Sequence, residues 1–293
     1  MLAQLLANGL VTGCSYSLLA LGFALIYFTT RTFHFAHGAV YTLSVYLLYT
    51  FFNLWKFPLW VAILIVLVIS AIFGVLMDET LYVPLVKKGS SQLIQMLSSL
   101  GFYIIIINFI AMLYGNETKV LLTGVQPTYH FGSIIYTRTQ LLILITTAVL
   151  VPSFLFFLKK SKVGMMIRAM RDNPILLQSL GVSPRQVRWF AFAFGSVLAA
   201  VASSLNGLDV GIDPNIGMPA LLNGVVAVII GGVGFFEGPV LGGLLLGLLQ
   251  SLVIWKTSAR WQEMVTFIIL ILFLLFRPQG LLGYKRRTEE TGL

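Results

Sequence analysis

Four stretches of this sequence hold side chains able to do chemistry. His34 and His37 stand three apart in Phe33-His34-Phe35-Ala36-His37-Gly38, a spacing at which two imidazoles on one helix face can share a metal ion. No cysteine or carboxylate adjoins them, and the third histidine, His130, lies far along the chain, so packing or hydrogen bonding is the ordinary use of the pair. Glu237 sits in a glycine-rich break, Gly231 to Pro239, between apolar runs; a carboxylate at membrane depth suits ion coupling or proton transfer. Asp209 and Asp213 lie in GLDVGIDPNIGM, where they either receive something or serve ordinary turn chemistry. The fourth stretch, Lys159 to Arg188, gathers Lys159, Lys160, Lys162, Arg168, Arg171, Arg185 and Arg188 against one acid, Asp172. The P-loop, HExxH and GxSxG patterns are all missing from the chain.

The elements that must position these residues are membrane spans. Of 293 residues 58% are hydrophobic and only 10% charged, with mean hydropathy +0.94, against about 25% charged in a soluble domain. Apolar runs fall at 5–28, 33–52, 58–77, 92–114, 139–158, 189–206, 219–236, 239–255 and 262–276, each near the roughly 20 residues that cross a bilayer. The expectation is an all-α polytopic membrane protein with 8–9 transmembrane helices; 219–255 reads either as two short spans or as a broken, re-entrant pair. With nine spans and the N-terminus outside, fourteen of the nineteen basic residues fall on the inner side and five on the outer. That places 159–188 and the tail 277–293 in the cytoplasm. The same distribution accounts for the net charge of +9 without nucleic acid. The lone Cys14 excludes an internal disulfide, and the first residues read as the start of a span rather than a removable signal.

Glycine spacing adds a packing expectation. Gly9 and Gly13, the trio Gly234, Gly238 and Gly242, and the pair Gly243 and Gly247 recur every four residues, which lines them on one helix face and lets a neighbouring backbone approach. The breaks at 33–38 and 231–239 interrupt apolar runs in the two halves, a pattern that points to a transport pathway. In the basic stretch, Pro174 is expected to divide a short helix and to make Asp172 or Asn173 its cap.

Three segments in order carry a resemblance: Asn8-Gly9-Leu10 through Gly22 and Phe35-Ala36-His37-Gly38-Ala39; Gly164, Arg168-Ala169, Arg171-Asp172-Asn173 and Gly181-Val182; and Gly231-Gly232-Val233-Gly234 with Gly238-Pro239-Val240-Leu241-Gly242. With these the chain resembles the inner-membrane permease subunits of branched-chain amino acid ABC importers over nearly its whole length. It departs at Phe235-Phe236-Glu237, bulkier than usual there, and at Gln250, near where an acid is common. The resemblance implies one permease domain over 1–293 in the bacterial cytoplasmic membrane, with no cofactor or metal and no ATPase of its own. It implies a second, similar permease subunit, two cytoplasmic ATP-binding subunits and an external substrate-binding protein as partners. Gly164, Arg168, Ala169, Arg171, Asp172, Asn173 and Gly181 would form the ATPase-coupling loop. Phe35, His37, Gly38, Gly231, Gly232, Gly234, Glu237 and Gly238 would line the path or pack its helices. Leucine, isoleucine and valine lead as substrates, with urea or short amides as the alternative. An intramembrane enzyme built on His34, His37 and Glu237, and a passive channel, are the competing classes.

Overall fold

Small residues at four-residue spacing decide where the first helix goes. In the computed structural model, which describes residues 2–124, 126–256 and 258–283, helix α1 spans Leu2–Thr30. Gly9, Gly13 and Ser17 face the later helix Gly238–Lys256. A Cβ on Gly13 would stand 2.9 Å from Leu244 Cα, and one on Gly9 would stand 3.0 Å from the Gly247 carbonyl. The Ser17 hydroxyl lies 2.8 Å from the Val240 carbonyl across the same seam. On its other side α1 meets the helix Pro184–Val210, where a Cβ on Gly22 would fall 2.7 Å from the Gly195 carbonyl. Close backbone approach replaces the hydrophobic effect as the packing force here, because lipid offers apolar groups an equally apolar alternative.

The remaining helices, in chain order, are α2 (His37–Tyr49), α3 (Leu59–Met77), α4 (Val83–Lys87), α5 (Gln92–Tyr114), α6 (Arg138–Lys160), α7 (Lys162–Asp172), α8 (Pro174–Ser179), α9 (Pro184–Val210), α10 (Gly217–Gly231), α11 (Gly238–Lys256) and α12 (Gln262–Phe276). π-helical turns extend α2 to Leu54 and join α3 to α4 across Asp78–Tyr82. Six helices (α1, α3 with its extension, α5, α6, α9 and α11) are long and apolar enough to cross a membrane. α10 and α12 are apolar but have 15 residues each, about 22 Å of helix. With α2 they account for all nine apolar runs. The segment 219–255 is therefore two antiparallel helices, α10 and α11, joined by a tight turn at 232–237. The centre of the bundle is α1, α2 and α9, and the faces of α3, α5 and α6 carry exposed aliphatic side chains such as Leu64, Ile105 and Ile145.

Connections alternate between two ends. Segments 31–36, 78–91, 161–183, 232–237 and 277–283 lie at one end, the loop end; 55–58, 115–137, 211–216 and 258–261 lie at the other. A hairpin, β1 (Thr128–Phe131) and β2 (Ile134–Thr137), sits at that far end, turned by Gly132 at φ +62°. A four-residue alternation of Tyr129 and Phe131 is too short to declare a strand from sequence alone. Gln4 of α1 holds the hairpin by both amide atoms at Ile135.

One connection departs from a surface loop. After Arg31, in left-handed backbone at φ +57°, the chain turns back into the bundle without forming helix. By His37 it lies level with Gly22 of α1: a Cβ on Gly22 would sit 3.3 Å from His37 Nε2. Eight residues of α1 separate Gly22 from Thr30, so α2 starts roughly 12 Å inside the loop end. Such backbone survives at depth only when protein covers it. Thr32, His34 and Ala36 are fully buried, the Thr32 hydroxyl donates to Gln95 Oε1 (3.1 Å), and the Phe35 amide donates to Ser99 Oγ (3.1 Å).

Candidate functional site

The basic stretch is shorter as a loop than its charges imply. α6 continues through Lys160 and α9 begins at Pro184, so Arg185 and Arg188 belong to a helix and only 161–183 projects. Within it Ser161 caps α7 by accepting from the Gly164 amide (2.9 Å). Asn173 caps α8 by accepting from the Ile175 and Leu176 amides (3.0 Å each), with Pro174 in the first turn. Of the two caps expected, Asn173 is the one used. Gly181 turns the chain at φ +81° and is exposed, with nothing within 4 Å of a Cβ placed there.

The loop is tied to the helices by its own side chains. A Cβ on Gly164 would overlap the Leu158 carbonyl at the end of α6, and Arg168 donates to that same carbonyl. The Ala169 carbonyl accepts the Asn173 amide (2.9 Å), closing α7. Arg171 donates to Asp172 (2.8 Å) and to the Gly234 carbonyl (2.7 Å), while Arg31 donates to the Arg171 carbonyl (3.2 Å). Lys159 pairs with Glu237 at 2.7 Å. Burial pushes the Glu237 carboxyl up, but its hydrogen bond with the Lys159 ammonium, its own backbone amide and the nearby charges hold it below its ordinary value. The basic loop and the glycine break thus form one assembly. Gly231 and Gly238 pack against each other, a Cβ on Gly238 meeting the Gly231 carbonyl at 2.7 Å, and Gly232 (φ +105°) lies under the Gln279 carbonyl of the tail. Leu281 and Leu282 donate to the Ile230 and Gly231 carbonyls at 2.8 and 3.1 Å, satisfying the end of α10. The tail beyond Gly283, including Lys285, Arg286 and Arg287, lies outside the described residues.

Glu237 is therefore engaged at the loop end, away from the histidine pair. His34 and His37 are fully buried with ring centroids 5.6 Å apart, and His34 Nδ1 lies 2.6 Å from the Tyr82 hydroxyl. Among the described residues no three of His, Cys, Asp or Glu are grouped to hold a metal ion. Gly38 packs on the start of α10, where its added Cβ would stand 2.9 Å from the Gly217 carbonyl. Phe35 joins a group of rings with Phe33 (5.0 Å), itself 5.2 Å from Phe23 and 6.1 Å from Tyr27.

Sequence reasoning missed the deepest ion pair. Asp78, fully buried where α3 passes into its π turn, is held by both nitrogens of the Arg188 fork on α9; Nε lies 3.1 Å from Oδ2. The embedded carboxylate is Asp78; Glu237, which the sequence suggests at membrane depth, is partly exposed in the turn at the loop end. Beside the pair, Arg185 Nε donates to Glu79 (2.7 Å), and Trp189 donates to the same carboxylate. The usable signal was the placement of Asp78 and Arg188 at opposing run ends.

At the far end a cavity of about 610 Å³ opens between α1, α9, α10 and α12. Its floor lies near Leu19 and Tyr41, and its mouth carries Asp209, Asp213, Arg260 and Glu263. Behind the wall a polar chain runs through the bundle. Gln250 donates to Asn223 (3.0 Å) and Thr266 (2.6 Å), and Gln262 donates to Gln250 (2.8 Å). A second cavity, about 500 Å³, lies at the loop end beside Phe28, Arg31, Arg171 and Gly234. Between Leu19 at one cavity and Phe28 at the other, α1 carries Phe23 and Tyr27, which pack with Phe33 of the segment 31–36, and Phe28 meets Phe236 at 5.5 Å. Two cavities at opposite ends, separated by packed rings in a bundle of apolar helices, are the build of a multi-pass membrane protein that could pass a solute between them.

The particular family follows. The sequence model of the branched-chain amino acid transport system / permease component family matches residues 5–274, and the chain belongs to that family. It is 31% identical to the high-affinity branched-chain amino acid transport system permease protein BraD of Pseudomonas aeruginosa, over 96% of this chain and 95% of that one. To the corresponding permease protein LivH of Escherichia coli it is 29% identical, with the same coverage. Among solved structures it resembles PsaBC from Streptococcus pneumoniae in complex with Fab, with a TM-score of 0.53 and 12% identity over 92% of this chain and 90% of that one, a likeness of fold.

Proposed function

We propose that this chain is the transmembrane subunit of an ABC importer that carries branched-chain or related neutral amino acids inward. The movement is driven by ATP hydrolysis on partner subunits. The observation that carries the reading is the joining of 161–183 to the helices around it: Arg168 and Gly164 bind it to α6, Arg171 to the α10–α11 turn. A force applied to this loop is delivered directly to helices that bound both cavities, which is what an ATPase docking element requires. On this reading the loop end and the tail face the cytoplasm and two ATP-binding subunits. A second permease subunit completes the path, and an external binding protein delivers substrate to the far end. Substrate then crosses by alternating access, the aromatic group between the cavities opening as the far end closes. The names of the relatives favour leucine, isoleucine and valine over urea or amides.

Deletion of the gene, followed by radiolabelled leucine uptake and by co-purification of the tagged chain with products of flanking genes, tests the reading. Uptake should fall to background and an ATPase should co-purify. Undiminished uptake with no ATPase attached would refute it.

A further inference from the structure

The far-end cavity has a charge pattern that the transport reading does not itself require. Three carboxylates, Asp209, Asp213 and Glu263, line it with a single guanidinium, Arg260. They come from separate elements: Asp209 from the end of α9, Asp213 from the turn after it, Glu263 from the first turn of α12 and Arg260 from the turn before α12. Two of the acids are fixed in place. Asp209 Oδ1 accepts from the Thr139 hydroxyl at 2.6 Å, and Asp213 Oδ1 accepts from the Asn215 amide at 2.8 Å. Arg260 and Glu263 make no ion pair within 4 Å among the described residues, and both line the cavity.

Below this mouth the chemistry changes. Val11, Leu19, Ile143 and Ala220 give the cavity apolar walls, and Tyr16, Tyr41, Asn206 and Asn223 supply a few hydroxyl and amide groups. Asn206 is oriented by its hydrogen bond to the Tyr41 hydroxyl (3.0 Å), and Asn223 by the Pro219 carbonyl (3.0 Å) and Gln250. Apolar walls with a few placed polar groups, in a volume of this size, are the usual build of a small-molecule site.

The pattern narrows the ligand by exclusion. An anion would meet three carboxylates and one guanidinium, so net repulsion disfavours it. A bare metal ion needs several ligands converging within coordination distance, and the described acids are not so grouped. An uncharged solute such as urea would leave the charges at the mouth unused and the aliphatic walls facing a polar molecule. A molecule with an ammonium, a carboxylate and an apolar body satisfies each part. We infer that this cavity is a subsite within the permease for a zwitterionic α-amino acid with an apolar side chain. The carboxylates of Asp213 and Glu263 hold the ammonium, Arg260 holds the carboxylate, and the side chain lies against Val11, Leu19, Ile143 and Ala220. The inference rests on the transport reading above and adds that the permease itself, and not a binding protein alone, discriminates among substrates.

The test is binding of radiolabelled L-leucine to the full-length chain in lipid nanodiscs. Isopentylamine, which keeps the ammonium, and 4-methylpentanoate, which keeps the carboxylate, are the competitors. On the unaltered chain leucine should bind saturably, isopentylamine should displace it, and 4-methylpentanoate should not. Asp213→Asn combined with Glu263→Gln should weaken leucine binding at least tenfold, while Arg260→Gln should weaken leucine but spare isopentylamine. No displaceable leucine binding, or equal displacement by both competitors, overturns the subsite, and that result needs no variant. If leucine uptake by cells still depends on this gene, the subsite alone has failed; uptake independent of the gene ends both.

Discussion

At the scale of single residues, stability depends on which charges are paired. Asp78 is fully buried and its partner Arg188 nearly so, which makes the pair sensitive to losing one member. Removing a partner leaves an uncompensated charge at a cost of about 3 kcal/mol. Asp78→Ala should lower the unfolding free energy in mild denaturant by about that amount. Exchanging the two residues, Asp78→Arg with Arg188→Asp, should restore part of it. Lys159 and Glu237 are a contrasting pair, with more than a third of each side chain exposed. Because the folded Glu237 carboxyl titrates below its unfolded value, the pair stabilises the fold above roughly pH 4.3 and is lost as pH falls through the lower folded value. The stability difference between wild type and Glu237→Gln should therefore shrink on acidification from pH 6 to pH 3 and not on alkalinisation, read by thermal melts at each pH.

At the scale of elements, helix contacts are set by missing side chains. A Cβ on Gly247 would overlap the Gly13 backbone, and α1 has no flexible side chain there to yield. Gly247→Leu should separate α1 from α11, costing about 3 kcal/mol by overpacking and widening the far-end cavity, whereas Gly101→Leu, with open space around it, should be neutral. Comparing the melting temperatures of the two variants in detergent checks this. The seam of Gly9 and Gly13 with Gly243 and Gly247 follows from four-residue glycine spacing, which is local; the same spacing misplaces Gly234, which lies in the turn before α11 at φ +118° with nothing within 4 Å of an added Cβ, so it shares no helix face with Gly238 and Gly242. Asn173 and Pro174 were readable as well, since capping involves neighbours in sequence. The Asp78–Arg188 pair was not, because its members stand 110 residues apart and each looks like an ordinary charge at the end of a span. The cavity was half legible: Asp209 and Asp213 stood out in their turn, but Asn206, Asn223 and Tyr41 were hidden as isolated polar residues in apolar runs. The irregular segment at 31–36 showed only as a break; that it dips inward follows from tertiary contacts with α1 and α5.

At the scale of the whole molecule, packed rings lie between two cavities at opposite ends, and on the proposed function movement of the loop 161–183 parts those rings at the expense of ATP. A passive channel with the same helices would conduct whenever substrate was present. The direct measurement is leucine uptake into vesicles containing this chain and its co-purified partners, with and without internal or external ATP, for wild type, Arg168→Glu and Gly181→Trp. Arg168 holds the loop to α6, and Gly181 is the left-handed turn that a bulky side chain strains. Uptake is expected only with ATP on the loop side, with a loss of at least tenfold in both variants and normal membrane insertion of each. Equal uptake without ATP, or full uptake in both variants, would rule out ATP-driven opening through this loop.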